Sequence, residues 1–260
     1  MCLAERLSDP DDTLRPMSLP EITTREEWLA ARKALLAKEK ELRRAQDALN
    51  TERRMLPMVR IDEPYRFTGP DEQVGLADLF DGKRQLVIQH VMFDPSWEDA
   101  CMGCTASIDE LSTGLFRHLE ARDTRYVFVA RAPYEKIAAY AAKRGWDLPF
   151  YSSFGSRFNY DFGVTTDPTV MPVVWNYRNA AELEEAGEAW ILEGSSEQPG
   201  MSCFLRDGDE IFHTYSTYAR GTDFGGAYSI LDLTALGRQE EWEEPKGRAV
   251  NVRPNMPTFD

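Results

Sequence analysis

The order of apolar and amphipathic segments constrains the fold of this chain more than any other feature. "RQLVIQHVMF" and "TRYVFVARA" are short, almost continuous apolar runs, which is typical of strands buried on both faces of a sheet. A helical stretch from Cys101 to about Arg122 connects them, so the two strands are expected to pair in parallel through a crossover helix. The amphipathic helix "PYEKIAAYAAKRGW" follows, with Pro133 near its start.

A hairpin follows this parallel pair. In "GMSCFLRDGDEIFHTYS" the turn "RDGDE" separates two strand-like runs. A parallel crossover pair followed by an antiparallel hairpin is the thioredoxin arrangement, so the sequence predicts an α/β chain with a thioredoxin-like fold, a central mixed sheet flanked by helices. We assign this domain to residues 58–245. An N-terminal arm and a long amphipathic helix occupy residues 1–57, and an irregular tail occupies residues 246–260.

The N-terminal helix is predicted from about Thr24 to Leu56, and Thr24 and Glu27 are spaced to form a capping box at its start. Apolar residues recur at every seventh position along it: Trp28, Leu35, Leu42, Leu49 and Leu56. A stripe this narrow fits two interpretations, a surface helix with one apolar edge or a helix that packs on a partner subunit. The second interpretation predicts a homo-oligomer.

Charge and hydropathy restrict the environment and partners of the chain. The formal net charge of −14 disfavours nucleic acid and anionic membrane surfaces as partners. The start, "MCLAERLSDPDDTLRP", contains no apolar signal region, and the apolar runs are far shorter than a membrane span. We therefore expect a cytoplasmic protein, in which thiols are kept reduced. In that compartment a cysteine pair is more often catalytic or metal-binding than structural.

Cys101 and Cys104 form a C-x-x-C motif where the first buried strand gives way to the first core helix. A cysteine at a helix N-terminus faces unpaired backbone N–H groups and the positive end of the helix dipole, and both favour the thiolate. A second cysteine one turn later can resolve a mixed disulfide. We predict Cys101 as the nucleophile and Cys104 as the resolving thiol. The acidic neighbours Asp94, Glu98 and Asp99 are expected to raise the pKa of a nearby thiol.

Other chemistries for this motif have less support. A zinc site needs two further ligands, and the remaining candidates do not have ligand spacing: His90, His118, Cys203 and His213. Haem attachment requires histidine after the second cysteine, where this chain has Thr105. A peroxidatic pattern needs Pro and Thr or Ser at the positions of Asp94 and Glu98. No metal or other cofactor is therefore predicted, and a buried structural pair remains the simplest alternative.

The predicted topology brings two further residues to the same edge of the sheet. Arg131 ends the second buried strand, and it either is a solvated charge or has a functional role, which is to offset Asp99 or to steady a thiolate. Pro199 precedes the hairpin at the position where thioredoxins place a cis-proline against the dithiol, although Gly200 and Met201 are expected to separate it from the strand.

Aromatic and polar residues elsewhere form a second set of candidates. The second hairpin strand returns with four side chains that either rim a pocket at the dithiol or only cover the sheet: His213, Tyr215, Tyr218 and Arg220. The connector "SRFNYDFGV" places Arg157, Asn159 and Asp161 among aromatic residues, and connectors of this kind often line clefts. Cys203 lies within a strand and is expected in the core.

Several of these stretches resemble a bacterial family of thioredoxin-like proteins of uncertain function, often labelled predicted dithiol-disulfide oxidoreductases. The matching segments include "LADLFDGKRQLVIQHVMF", "CMGCTASIDE", "RAPYEKIAAYAAKRGW" and "SSFGSRFNYDFGV". The resemblance covers about residues 19 to 240. It implies a thioredoxin-like fold and a family-wide C-x-x-C, carried here by Cys101 and Cys104, but it supplies no substrate.

The sequence therefore predicts a thiol–disulfide oxidoreductase that acts on a protein or small-molecule thiol or disulfide. Two alternatives stay open. One is a non-catalytic thioredoxin-fold binding module, in which the long helix and an aromatic cleft hold a partner and the cysteines are incidental. The other is an atypical thiol peroxidase.

Overall fold

The computed structural model describes residues 22–218, 230–232, 234 and 236–243. The chain divides into two compact units, one ending at Asp47 and one beginning at Ala48. The predicted divisions after residues 57 and 245 stay predictions. Arg220 lies outside the described residues, as do the arm at residues 1–20 and the tail at residues 246–260.

Six α-helices lie in the described residues: α1 (Arg25–Arg54), α2 (Met102–Asp109), α3 (Thr113–Glu120), α4 (Tyr134–Arg144), α5 (Phe158–Asp161) and α6 (Ala180–Glu185). Two 3-10 turns are found at Asp78–Phe80 and Ala189–Leu192. The strands are β1 (Val59–Arg60), β2 (Arg66–Thr68), β3 (Gln73–Gly75), β4 (Gln85–Val91), β5 (Thr124–Ala130), β6 (Phe150–Ser152), β7 (Thr165–Thr166), β8 (Ser196–Glu197), β9 (Gly200–Asp207) and β10 (Glu210–Tyr218).

Eight of these strands form one mixed sheet in the order β1-β10-β9-β4-β5-β6-β2-β3, and β7 and β8 form a separate pair. Strands β4, β5 and β6 run parallel, whereas β9 pairs with β4 antiparallel and continues into the β9–β10 hairpin. The parallel pair, its crossover helices and the antiparallel hairpin confirm the predicted thioredoxin-like fold with a long N-terminal helix.

The crossover between β4 and β5 differs from the prediction, because two short helices replace the single helix expected from Cys101 to Arg122. Ser112 starts the second helix as its N-cap, and its hydroxyl oxygen accepts a hydrogen bond from the backbone N–H of Leu115 at 3.3 Å. A serine in this position favours a new helix start over continuation. The parallel strand β6 was not predicted, since its three residues lie inside an aromatic segment without alternation.

Each face of the sheet carries its own apolar core. On the dithiol face, defined here by Val87, Val91, Met201 and Cys203, the strands pack against α2, α3 and α4. On the aromatic face, defined by Ile88, Phe204, Phe158 and Phe162, they pack against α5 and the segment around β2 and β3. Because strand side chains alternate between faces, neighbours in one strand serve different cores.

A bulge in β10 determines whether each of its side chains lies on the dithiol face or on the aromatic face of the sheet. His213 pairs with Phe204, whereas Tyr215 pairs with Cys203, so Thr214 is the extra residue. Without this bulge His213 and Tyr215 would share a face; with it, His213 lies on the aromatic face and Tyr215 packs against the dithiol face.

Helix α1 begins with the predicted capping box. The Thr24 hydroxyl oxygen accepts from the Glu27 N–H at 3.3 Å, and the Thr24 N–H donates to the Glu27 carboxylate at 3.0 Å. The helix ends at Arg54 and not at Leu56 as predicted, so Leu56 lies just beyond it. The five residues of the predicted apolar stripe are 44–71% exposed: Trp28, Leu35, Leu42, Leu49 and Leu56. No helix among the described residues is long and apolar enough to cross a membrane.

We predict that the stripe on α1 pairs with the same stripe of a second copy. Leu35→Lys combined with Leu42→Lys should shift the mass measured by light scattering from that of an assembly to that of one chain, because two charges would replace apolar contact area. Lys40→Ala, on the same helix but not in the stripe, is the matched control and should leave the mass unchanged. A wild-type chain that is monomeric at every concentration tested would contradict the prediction.

Candidate active site

The chain reverses direction at the end of β4 and brings Cys101 to the start of α2. The backbone N–H of Cys101 donates to the carbonyl of Met92 at 2.9 Å, which ties the helix start to the strand end. Cys101 is the N-cap residue of α2, with φ −53° and ψ 132°. The parallel register pairs Val91 with Ala130, so the carboxyl ends of β4 and β5 lie at this same edge, as predicted.

The first turn of α2 is fixed by Thr105. Its backbone N–H and its hydroxyl both donate to the Cys101 carbonyl, at 2.9 and 3.0 Å. The same hydroxyl also contacts the hydroxyl of Tyr140 on α4 at 2.9 Å. Helix α4 thereby holds the turn that carries the C-x-x-C, and this limits movement of the Cys101 backbone.

Cys101 is partly exposed, and its pKa is lowered to about 5. The largest cause is the Cys104 thiol, which faces the Cys101 sulfur, and the backbone N–H groups of Cys104 and Gly103 act in the same direction. Partial burial opposes the shift but does not cancel it.

Cys104 has the opposite environment. It is only 6% exposed, and the pKa of its thiol is raised, first because it donates toward Cys101 and second because burial disfavours the thiolate. The backbone carbonyl of Cys104 accepts from the Ser107 hydroxyl at 2.8 Å, and Ser107 accepts from the Gln89 side-chain amide at 3.1 Å. Tyr126 completes this polar chain by donating to the Gln89 carbonyl oxygen at 2.6 Å.

The acidic residues near the motif do not have the predicted effect. Asp94 is ion-paired with Arg131 and accepts from the backbone and the hydroxyl of Ser96. Lys143 contacts both carboxylate oxygens of Asp99 at 2.9 Å. Cations pair with both carboxylates, and no carboxylate is among the causes that set the pKa of Cys101, so the increase expected from Asp94 and Asp99 is not found.

Arg131 lies at the end of β5 as predicted, but its partners differ from those expected. Its guanidinium donates to Glu197 at 2.6 Å and is ion-paired with Asp94, whereas Asp99 pairs with Lys143. The side chain of Glu197 is 1% exposed and also accepts from the Thr165 hydroxyl at 3.0 Å. Arg131 thus links the loop that follows β4 to the β7–β8 pair, and the offsetting of Asp99 is a prediction the structure overturns.

Pro199 immediately precedes β9, which begins at Gly200 and not two residues later as expected. Gly200 pairs with His90 near the end of β4. Because β9 runs antiparallel to β4, Pro199 lies at the same edge of the sheet as the end of β4, from which the chain continues to Cys101. Its contact with the dithiol stays a prediction.

The hairpin candidates separate. His213 lies on the aromatic face, with its ring centroid 5.2 Å from that of Phe162, and Tyr218 belongs to the same core. Tyr215 lies on the dithiol face, but its ring is 5.5 Å from the Arg53 guanidinium, beside Cys203. The structure therefore does not gather these side chains into one pocket at the cysteines, and Arg220 lies outside the described residues.

Sequence reasoning missed the residues that hold the motif. Met92 and Ser107 hydrogen-bond the backbone of the cysteines, and Gln89 hydrogen-bonds Ser107. Such contacts leave no motif in a single sequence. A glutamine within the apolar run of β4 was the available signal, because a half-buried amide favours a hydrogen-bond partner. Cys203 is in the core as predicted, and burial raises its pKa to about 12. Among the described residues, no three His, Cys, Asp or Glu side chains form a cluster that could hold a metal ion.

A family model described as "Bacterial protein of unknown function (DUF899)" matches residues 17–255. The chain belongs to this family. No curated protein matches the sequence significantly.

Solved structures of similar arrangement include Xanthomonas campestris Peroxiredoxin Q, with 13% identity, a TM-score of 0.40, and coverage of 63% of this chain and 86% of that chain. A cysteine-to-serine mutant of Xylella fastidiosa PrxQ gives 12% identity, a TM-score of 0.37, and coverage of 62% and 85%. Similarity at this level concerns the arrangement of strands and helices and not the chemistry of the site.

Proposed function

We propose that this member of the family is a thiol–disulfide oxidoreductase that cycles Cys101 and Cys104 between dithiol and disulfide. The contrast between the two sulfurs supports this proposal: one is partly exposed with a pKa of about 5, and the other is buried with a raised pKa. The thiolate is the nucleophile in exchange. At pH 7 a thiol with such a pKa is ionised in about 99 of 100 molecules.

The proposed reaction consists of two exchanges. The Cys101 thiolate attacks one sulfur of a substrate disulfide, the substrate S–S bond breaks, and the first substrate thiolate leaves. Cys104 then gives up its proton to the departing thiolate or to water and attacks the Cys101 sulfur, which releases the second substrate thiolate. The substrate gains two electrons, the protein forms the Cys101–Cys104 disulfide, and the reverse sequence oxidises a dithiol.

The environment of the pair favours this order of attack. Substrate reaches Cys101 first, since Cys104 is buried. Met102, the next residue, is 87% exposed and offers an apolar contact to a protein substrate beside the reacting sulfur. The thiol of Cys104 is held against Cys101, so the second exchange requires little movement of the helix.

A redox titration tests the proposal. The chain should be equilibrated in glutathione buffers of graded potential, quenched with acid and measured by intact mass. We expect a loss of two hydrogens with a single midpoint. A variant carrying Cys2→Ser and Cys203→Ala retains only the C-x-x-C and should give the same midpoint, because burial keeps Cys203 un-ionised.

The same samples distinguish the rival functions. A chain that stays reduced across the physiological range, and does not reduce insulin, would contradict the oxidoreductase and favour the binding module. Thiol loss that depends on peroxide and is faster than exchange with disulfides would favour a thiol peroxidase.

A further inference from the structure

A second candidate site lies on the aromatic face of the sheet, away from the cysteines. It is a cavity of about 390 Å³, a volume within the range of about 300–1,000 Å³ that small-molecule sites occupy. Aromatic side chains supply much of its lining: Tyr65, Tyr160, Phe162, Tyr177 and Tyr218. Walls of this kind suit a flat molecule, because ring faces and edges pack on aromatic surfaces.

The carboxylate of Asp161 provides a hydrogen-bond acceptor in the wall of the cavity. The Tyr65 hydroxyl donates to one of its carboxylate oxygens at 2.9 Å, and the Arg157 guanidinium donates to the other at 3.1 Å. A carboxylate can accept about four hydrogen bonds, so two positions remain for a ligand. Arg157 already neutralises the charge of Asp161, so the site does not require a cationic ligand.

The histidine in the cavity wall is neutral and is held by a buried hydrogen-bond chain. The Nε2 atom of His213 contacts the Ser216 hydroxyl at 2.7 Å, Ser216 contacts the Ser202 hydroxyl at 2.8 Å, and Ser202 contacts His90 Nε2 at 2.8 Å. Burial lowers the pKa of His213. The lining therefore presents no buried cation, which disfavours an anionic ligand.

Part of the cavity wall is formed by a tight turn with an unusual backbone. Asn176 and Tyr177 have φ values of 47° and 65°, and reciprocal backbone hydrogen bonds between Trp175 and Arg178 close the turn. A bulky residue such as tyrosine rarely adopts this conformation. The Tyr177 hydroxyl donates to the Ser216 carbonyl at 2.6 Å, which holds the ring at the cavity. Strain of this kind is retained where surrounding contacts determine the conformation, and it is concentrated at ligand sites.

We propose that this cavity binds a neutral, flat aromatic molecule of one or two rings that carries a hydroxyl or N–H donor, with Asp161 as the acceptor. The aromatic walls hold the rings and the remaining carboxylate lone pairs accept the donor. The proposal is independent of the thiol chemistry.

Calorimetry and saturation-transfer NMR with two probes test this assignment. The full chain should bind 2-naphthol at one saturable site and bind naphthalene, which has no donor, more weakly. Asp161→Asn keeps an acceptor for Tyr65 but loses the charged acceptor for the ligand. We expect it to weaken 2-naphthol binding at least about tenfold while naphthalene binding stays unchanged.

Two further variants serve as controls: one blocks the proposed cavity without disturbing the fold, and the other changes a carboxylate in a separate cavity. Val174 lies at the cavity and is 50% exposed, so Val174→Trp should fold and should reduce the binding of both probes by obstruction. Asp147→Asn alters a carboxylate in a separate cavity of about 670 Å³ lined by Trp146 and Tyr151, and should have no effect. The proposal is overturned if 2-naphthol does not saturate, if Asp161→Asn weakens both probes equally, or if only Asp147→Asn weakens binding.

Discussion

Replacing Cys104 with serine should trap a mixed disulfide on Cys101. The Cys104→Ser and Cys101→Ser variants should both be made together with Cys2→Ser and Cys203→Ala, so that no other cysteine can react. In oxidised glutathione the Cys104→Ser variant is expected to gain one glutathionyl group by intact mass and to keep it, because the resolving sulfur is gone. Cys101→Ser should gain none, since its one remaining thiol, that of Cys104, is buried and has a raised pKa. Disulfide reduction by Cys101→Ser should fall by at least about a thousandfold. Equal trapping by both variants would overturn the assignment.

Two substitutions at Cys104 separate its role as the resolving thiol from its role as a hydrogen-bond donor to the Cys101 sulfur. Serine keeps a donor beside the Cys101 sulfur, whereas alanine removes it, and this donor is the largest cause of the lowered pKa of Cys101. The rate of iodoacetamide labelling as a function of pH should therefore show a midpoint near 5 in the wild type, remain lowered in Cys104→Ser and rise in Cys104→Ala. Cys203→Ala is the matched control. A wild-type midpoint near the ordinary thiol value would contradict the nucleophile assignment.

The second large effect that we expect is a loss of folding stability at acid pH, caused by His90. The ring of His90 is 2% exposed, packs on Phe158 at 5.6 Å and has no partner for Nδ1. Burial and then the neighbouring His213 lower its pKa to about 3 from an ordinary 6.5. The unfolded chain therefore binds a proton that the folded chain does not between those values. The stabilising contribution is complete above pH 6.5 and is lost as pH falls toward 3.

The free energy of unfolding should therefore change measurably with pH. Between pH 8 and pH 5 His90 alone should lower the free energy of unfolding by about 2 kcal/mol. His90→Gln retains a donor for Ser202 but does not titrate, so its urea-derived stability should fall by that much less over the same interval. His118→Gln, on α3, is the control for the loss of a histidine elsewhere in the chain. The pH dependence of its unfolding free energy is the reference for that of His90→Gln. Parallel curves for wild type and His90→Gln would contradict the prediction.

Parts of the site could be predicted because they depend on neighbours in the chain. The N-cap position of Cys101 follows from an apolar strand, a short connector and a helix, all read within a few residues. The capping box at Thr24 and Glu27 is local in the same sense. The break between α2 and α3 was missed, although Ser112 was visible, because helix propensity alone does not decide between one helix and two.

Contacts between distant segments were not predictable from one sequence. The acidic neighbours of the motif were expected to raise the thiol pKa, but Arg131, which follows β5, pairs with Asp94, and Lys143 on α4 pairs with Asp99. Side-chain partners more than thirty positions away cannot be read from spacing.

The sequence by itself determined the parallel pair with its hairpin, the capped N-terminal helix and the location of the C-x-x-C at a helix start, because periodicity, turn residues and caps act over short stretches of chain. The tertiary structure decided which face of the sheet each side chain serves. One extra residue at Thr214 sends His213 to the aromatic face and Tyr215 to the dithiol face, since strand side chains alternate and a bulge reverses that alternation for every residue beyond it.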